Sequence, residues 1–252
     1  MITRNEIKYY NSLLKKKYRK QENKFLVEGK KSVLEGINSK YNCEIILLTK
    51  KFLNGEAGYI KKIKSSGVRI ETINSTDFRW VSDTKSPEGI SAVFNTPKPA
   101  ITIDKLTDPI IIYLENISDP GNVGTIIRNC DWFGIKNILL SKDSVEIYNP
   151  KVVRASMGSI FHNNIYSNIT IPNLSGLKET GYEFICSDIK GQSIFNYVKG
   201  DKIILFLSNE SNGPSKELLS VVDKSLTIPG KGKADSLNVA SSSAILLAEL
   251  TK

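Results

Sequence analysis

The sequence predicts an α/β protein in which a mainly parallel sheet follows a smaller, basic α/β domain. Three observations lead to this prediction. Short apolar runs alternate with helical patterns along the chain, a proline-containing stretch separates two such series, and the excess positive charge lies entirely in the first series.

The first series begins with an amphipathic helix predicted from Asn5 to about Lys20, because apolar residues recur there at helical spacing among many lysines. The remaining elements alternate along the chain. The predicted strands are Phe25–Val27, Glu44–Leu48, Val68–Ile73 and Ile90–Phe94, and the predicted helices are Lys31–Ile37 and Tyr59–Lys64. Together they indicate a small α/β sandwich.

The stretch Asn95–Pro109 contains three prolines and little periodicity, which predicts a linker.

The second series of strands comprises Ile110–Leu114, Asn137–Leu140, Glu183–Ser187, Lys202–Leu207 and Leu226–Ile228. Because each is a short apolar run followed by turn residues and a helical pattern, we expect a mainly parallel sheet. The predicted ranges are 1–95 for the basic domain, 96–108 for the linker and 109–252 for the second domain.

The charge divides unevenly between the two halves. Residues 1–100 hold 20 Lys and Arg against 10 Asp and Glu, a net charge of +10, whereas residues 101–252 hold 15 against 16, a net charge of −1. Such asymmetry favours a phosphate-binding surface attached to a near-neutral body. A lysine-rich surface that only maintains solubility is the alternative.

Composition narrows the function classes. No apolar run is long enough to cross a bilayer, and the N-terminus lacks the apolar core of a secretion signal, so we expect no membrane association and a cytoplasmic location. The three scattered cysteines, Cys43, Cys130 and Cys186, fit a reducing cytosol. A single histidine, His162, argues against metal sites and histidine-based triads.

Ligands of open parallel sheets bind where loops leave the carboxyl ends of strands, and three such loops have unusual residues. The first loop, Glu115–Gly134, reads ENISDPGNVGTIIRNCDWFG. A tight polar turn is expected to open a helix at about Thr125, with Arg128 in or near its first turn. A cation there opposes the helix dipole, which points to a nearby anion such as an RNA phosphate. Pairing of Arg128 with Asp131 or Glu115 is the alternative.

The second loop, Ser208–Leu218, reads SNESNGPSKEL and places Glu210 directly after a buried strand. Its small residues would let backbone groups approach a ligand, although Glu210 could instead cap the following helix. The third loop, within Ile228–Leu250, reads IPGKGKADSLNVASSSAILLAEL. There Ser236 and Asn238 lead into a helix rich in Ala and Ser.

Taken together, these loops resemble the motifs of the SpoU (TrmH-type) RNA 2′-O-ribose methyltransferases of the SPOUT superfamily. The matching segments are DPGNVGTIIRNCDWFG, RASMGSIFH, LFLSNESNGPS and TIPGKGKADSLNVASSSAI, in that order. The resemblance spans about Pro109 to Lys252. The N-terminal part, with FLVEGKKSVLEGI, is similar to the ribosomal-protein-like substrate-binding domain that precedes many such catalytic domains.

The resemblance implies a C-terminal trefoil knot in the parallel sheet and S-adenosylmethionine bound within that knot. Backbone groups of Ser208, Ile228 and Leu237 would hold the adenine. The implied active-site residues are Arg128, Glu210, Ser236 and Asn238, with Asn122 supporting the first loop. One departure is that the family usually has glycine where this chain has Ser208 and Ser211, which bears on cofactor affinity.

The implied activity is methylation of a ribose 2′-hydroxyl in structured RNA by a homodimer. The extra basic domain favours ribosomal RNA over tRNA, and a tRNA 2′-O-methyltransferase is the alternative enzyme. A catalytically silent RNA-binding protein on the same fold is a third reading, against which the four intact active-site residues count. Arg128 would either draw the proton from the hydroxyl or bind an adjacent phosphate and position the ribose.

Overall fold

The computed structural model describes residues 2–97 and 102–252, which form two compact units. The first unit holds residues 2–97 together with Tyr148–Phe161, and the second holds residues 102–147 and 162–252. Tyr148–Phe161 lies within the range predicted for the second domain, and residues 96–97 and 102–108 of the predicted linker belong to the first and second units, respectively. Residues 98–101 of the predicted linker lie outside the described residues.

The first unit is a four-stranded sheet covered by short helices. Its strands are β1 (Lys24–Glu28), β2 (Cys43–Thr49), β3 (Arg69–Ile73) and β4 (Ile90–Asn95), in the order β1-β4-β2-β3. Strands β2 and β3 are parallel, whereas β4 is antiparallel to both of its neighbours. The helices are α1 (Arg4–Ser12), α2 (Lys16–Glu22), α3 (Lys30–Ile37), α4 (Lys50–Gly55), α5 (Ala57–Lys64), α6 (Ser75–Trp80) and α8 (Pro150–Ala155).

The single helix predicted for Asn5–Lys20 is wrong, because the chain breaks into α1 and α2. Lys15 has an extended backbone (φ −100°, ψ 132°), and the turn allows Leu13 to be fully buried. The guanidinium of Arg19, which is only 4% exposed, donates to the carbonyl oxygen of Leu13 at 2.9 Å. Burial of Leu13 therefore outweighs helix continuity at this point.

The segment Tyr148–Phe161 completes the core of the first unit. The ring of Tyr148 lies 4.3 Å from that of Phe25, and the ring of Phe161 lies 5.0 Å from that of Phe94, measured between ring centroids. A Cβ atom at Gly36 would lie within 2.6 Å of both Phe94 and Phe161, so only glycine fits there. Aromatic packing of this kind explains why the segment belongs to this unit.

The second unit is a six-stranded sheet, and every strand pair in it is parallel, as predicted. Its strands are β5 (Ile110–Glu115), β6 (Asn137–Leu140), β7 (Asn164–Tyr166), β8 (Glu183–Ser193), β9 (Ile203–Ser208) and β10 (Lys224–Thr227), in the order β10-β8-β9-β5-β6-β7. The helices are α7 (Pro120–Trp132), α9 (Ser175–Glu179), α10 (Lys216–Leu219) and α11 (Val239–Leu250). Strands β5 and β9 lie at the centre of the sheet and are almost entirely buried.

The strands at and next to the edges of this sheet were predicted least well. The short strand β7 was not predicted, because three residues are too few for a periodic signal. Strand β8 runs six residues beyond its predicted end, where Gly191 lies so close to β10 that a Cβ would sit 2.5 Å from the backbone of Ser225. The trefoil knot stays a prediction. Among residues 2–97 and 102–252, no helix combines the length and apolarity needed to span a bilayer.

Candidate active site

The first two predicted loops leave the same edge of the parallel sheet. Strand β5 ends at Glu115 and strand β9 at Ser208, and these two residues are direct partners in the ladder between the strands. The third loop follows β10 and leads into α11. Because parallel strands present their carboxyl ends at one edge, the three loops can converge there.

Three of the predicted site residues form one hydrogen-bonded group. Oε1 of Glu210 accepts from Nδ2 of Asn122 at 2.8 Å, from Nδ2 of Asn238 at 3.1 Å and from the backbone N–H of Val239 at 3.0 Å. Asn238 also donates to Oδ1 of Asn122 at 3.1 Å. One carboxylate oxygen thus joins all three loops, and we call Asn122, Glu210 and Asn238 the loop triad.

Helix formation on both sides of the loop triad fixes two of its members. Asn238 caps α11, since its Oδ1 accepts from the backbone N–H of Ala240 at 2.9 Å. Asn122 lies in the first turn of α7, where the side chain of Asp119 caps the helix by accepting from the N–H of Asn122 at 2.9 Å. The side-chain amide groups are therefore aimed by helix starts rather than by mobile loops.

The prediction that α7 begins at about Thr125, with Arg128 near its first turn, is wrong. The helix begins at Pro120, whose fixed φ suits the first helical position, and Arg128 lies in the third turn. The dipole argument for an anion therefore fails, because that effect fades beyond the first turn.

Arg128 is exposed on α7 and pairs with neither carboxylate that was considered for it. Asp131 lies 2.8 Å from Nδ1 of His162, and Glu115 accepts hydrogen bonds from serine residues. Within the described part of the chain, Arg128 forms no hydrogen bond or ion pair, nor does it contact the loop triad through one. Its guanidinium is available to a ligand.

The remaining predicted residues form no hydrogen bond with the loop triad. Ser208 ends β9 and donates to Glu115, whereas Ile228 follows β10 and is half-buried. Ser236 and Leu237 are exposed just before α11. Backbone groups of residues 228–237 form no hydrogen bond with other described residues, so their N–H and C=O groups are available to the edge of a purine ring. This donor set fits an adenine-containing cofactor.

Glu115 is a site residue that the sequence reasoning missed. Its carboxylate is buried, with only 4% of the residue exposed, and it accepts from Oγ of Ser208 at 2.8 Å and from N and Oγ of Ser215 at 3.1 and 2.5 Å. It thereby ties both ends of the loop that carries Glu210 to the end of β5. A carboxylate at the end of the apolar run IIIYL was a usable signal, because a buried charge needs partners.

None of the three cysteines is suited to act as a nucleophile. Burial raises the pKa of the Cys43 thiol to about 12, and it also raises the pKa of the Cys130 and Cys186 thiols. The thiol form therefore predominates at neutral pH, and the thiolate is the reactive species. Among the described residues, no group of three or more His, Cys, Asp or Glu side chains could hold a metal ion.

Both units match known sequence families. Residues 109–248 match the SpoU rRNA methylase family, and residues 4–92 match the MRM3-like substrate-binding domain. The 23S rRNA (guanosine(2553)-2′-O)-methyltransferase RlmP of Bacillus subtilis (strain 168) is 27% identical over 246 residues, which cover 97% of this chain and 95% of that protein. Human mitochondrial rRNA methyltransferase 3 is 29% identical over 167 residues, covering 62% of this chain and 38% of that protein.

Solved structures agree with these matches. A protein assigned to the TrmH family of RNA methyltransferases from Porphyromonas gingivalis superposes with a TM-score of 0.85 at 31% identity, covering 99% of this chain and 98% of the other. The SpoU methyltransferase AviRb from Streptomyces viridochromogenes, solved with AdoMet, gives a TM-score of 0.86 at 21% identity, covering 99% and 97%, and shares the fold. Since the family match covers more than half of its residues, this chain belongs to the SpoU rRNA methylase family.

Proposed function

We propose that the protein transfers the methyl group of S-adenosylmethionine to a ribose 2′-hydroxyl of ribosomal RNA. The observation that carries the proposal is the loop triad, in which Glu210 joins Asn122 and Asn238 at the carboxyl edge of the parallel sheet. Similarity to a 23S rRNA 2′-O-methyltransferase over nearly the full length of both proteins supports the same activity.

S-adenosylmethionine supplies an activated methyl group on a sulfonium. We assign its adenine to backbone groups of Ser208, Ile228 and Leu237, which is supported by the unbonded backbone of residues 228–237. Ser208 replaces the usual glycine at the strand end, but its hydroxyl donates to Glu115. The serine side chain is thus held by the protein itself.

Methyl transfer from a sulfonium depends mainly on holding the hydroxyl in line with the methyl group. Glu210 keeps Asn238 and the start of α11 in place, and Ser236 and Asn238 orient the ribose hydroxyl. A guanidinium is almost always charged, so Arg128 is better suited to bind the adjacent phosphate than to accept a proton. The absence of a protein partner for Arg128 within the described residues supports this role.

Ribosomal RNA is favoured over tRNA as the substrate. The net charge of +10 over residues 1–100 gives the first unit a phosphate-binding character, and residues 4–92 match a substrate-binding domain. We also propose that the enzyme is a cytoplasmic homodimer whose second unit is knotted. The helix α11, rich in Ala and Ser, would permit close packing between subunits.

The test is transfer of label from methyl-tritiated S-adenosylmethionine to three unmodified RNAs: transcribed 23S rRNA, transcribed 16S rRNA and a tRNA pool. We expect stable incorporation into ribosomal RNA and background incorporation into tRNA. A calorimetric titration with S-adenosylmethionine runs in parallel. Cofactor binding without transfer to any of the three RNAs would favour the silent RNA-binding protein, and preferential labelling of tRNA would favour the tRNA enzyme.

A further inference from the structure

A groove of about 510 Å³ opens on the first unit. It lies where β2 and β3 end and β4 begins, and its lining includes Thr49, Ser75 and Gly89 from these three chain segments. Its volume falls within the range of roughly 300–1,000 Å³ that is typical of pockets for small organic ligands. A nucleotide-sized group therefore fits inside it.

The lining presents three cations without protein partners. Lys51, Arg79 and Lys85 are exposed, and none forms an ion pair or hydrogen bond within residues 2–97 and 102–252. The two acidic residues of the lining are already engaged by Lys30. Its Nζ lies 2.5 Å from Oε2 of Glu56, and its backbone N–H donates to Oε2 of Glu88 at 2.8 Å.

The base of the groove is apolar and firmly held. Phe52 and Phe78 line it and are buried, so they form a packed floor beneath the three cations. Gly89 has a φ of +91°, and a Cβ there would lie 2.4 Å from Oγ1 of Thr49. The N–H of Thr49 donates to the carbonyl of Gly89 at 2.9 Å, so the two sides of the groove are bonded through the backbone.

We propose that this groove binds the sugar–phosphate backbone of the substrate RNA, with Lys51, Arg79 and Lys85 contacting phosphates. Exposed cations without protein partners, held above a packed floor, suit the phosphates of an RNA strand. The inference rests on the proposed function, because it takes ribosomal RNA as the ligand. The net charge of the first unit indicates RNA binding without locating it, whereas this inference places the RNA contact in one groove.

The experiment compares two triple variants of the full-length protein. The groove variant is Lys51→Gln/Arg79→Gln/Lys85→Gln. The control, Lys61→Gln/Lys62→Gln/Lys64→Gln, removes three exposed charges from α5, outside the groove lining. Both variants lower the net charge by three, so long-range attraction changes equally. Thermal unfolding and S-adenosylmethionine affinity verify that each variant is folded and that the cofactor site is intact.

Affinity for a mixed-sequence 12-nucleotide single-stranded RNA is measured as a function of salt, with KM and kcat for transcribed 23S rRNA. The groove variant is expected to bind about tenfold more weakly and to reduce the slope of log affinity against log salt by about 2, as for three lost phosphate contacts. Its KM for the rRNA should rise while kcat is kept. The control should retain the wild-type slope and KM within about twofold.

Equal losses in the two variants would overturn the inference, because they would mean diffuse attraction by the whole basic surface. An unchanged slope and KM in the groove variant would also overturn it, as would be found if the groove binds a protein instead. These outcomes leave the proposed function intact as long as the wild-type protein methylates rRNA. Conversely, loss of 12-mer binding in the groove variant alone, without methylation of rRNA by the wild type, would support the groove and defeat the proposed function.

Discussion

The carboxylate of Glu210 and the side-chain amide of Asn238 meet 28 residues apart in sequence, with Nδ2 of Asn238 donating to Oε1 of Glu210 at 3.1 Å. The same oxygen accepts from Asn122 and from the N–H of Val239, so it connects the starts of α7 and α11. Residues that share one hydrogen-bonded group have non-additive mutational effects. The loop triad is therefore expected to respond as a unit.

Replacement of Glu210 separates its geometric role from its charge. Glu210→Gln keeps an oxygen that can accept from Asn238 and Val239, whereas Glu210→Ala removes it. We expect Glu210→Ala to lower kcat about 100-fold, as small displacements of positioning groups do, and Glu210→Gln to retain much of the activity. The check is steady-state methyl transfer to 23S rRNA. Equal loss in both variants would show that the negative charge, and not the bonding geometry, is what the reaction requires.

Replacement of Arg128 tests binding of the substrate phosphate. Because the guanidinium has no protein partner within the described residues, Arg128→Ala should leave the unfolding temperature and S-adenosylmethionine affinity nearly unchanged. Methyl transfer should fall by about two or more orders of magnitude. Arg128→Lys, which keeps the charge and loses the bidentate fork, should recover part of the activity. Full activity of Arg128→Ala would remove this residue from the site.

Glu115 is expected to act through the loop that it holds. Glu115→Ala would leave the half-buried hydroxyl and N–H of Ser215 without this acceptor, which should lower the free energy of unfolding by about 1–3 kcal/mol and weaken cofactor binding. A double-mutant cycle with Ser215→Ala should give a coupling energy of about 0.5–3 kcal/mol. Ser220→Ala, at an exposed position nearby, is the control. Additive effects of Glu115→Ala and Ser215→Ala would show that Glu115 does not hold this loop through Ser215.

A fragment that contains only the second half of the chain should be poorly soluble, because its segment Tyr148–Phe161 packs on the first unit. A fragment of residues 102–252 retains the whole six-stranded sheet but removes the partners of Tyr148 and Phe161, which pack on Phe25 and Phe94. We expect the fragment to expose these aromatic side chains and to self-associate. Replacing both with serine should reduce this association. Analytical ultracentrifugation measures the association state of both fragments. A single, monodisperse species for the fragment without the serine substitutions would contradict the expectation.

The sequence was most informative where burial imposes a simple pattern. The central strands β5 and β9 are apolar on both faces, and their predicted positions are within one residue of those observed. Contacts between residues far apart in sequence were not predictable. No local pattern indicates that Phe161 packs on Phe94, and the periodicity of residues 5–20 does not reveal that burial of Leu13 breaks the helix.

In the predicted site, too, local features were predictable and contacts between distant residues were not. The three loops were identified from their polar residues, and their convergence follows from parallel strand ends. The position of Arg128 was predicted wrongly, because Asp119 caps the backbone at Asn122 and the helix begins at Pro120, five residues before the expected start at Thr125. Glu115 was missed because its role depends on Ser208 and Ser215, which only the folded chain brings to it.

Mass-spectrometric mapping of ribose methylation in RNA from a strain that lacks this protein tests the proposed methyl transfer directly. We predict that one 2′-O-methyl group disappears from ribosomal RNA. It should return on complementation with the wild-type protein, but not with the Arg128→Ala variant. An unchanged ribosomal RNA, with the missing methyl group found in tRNA or on a base, would contradict it.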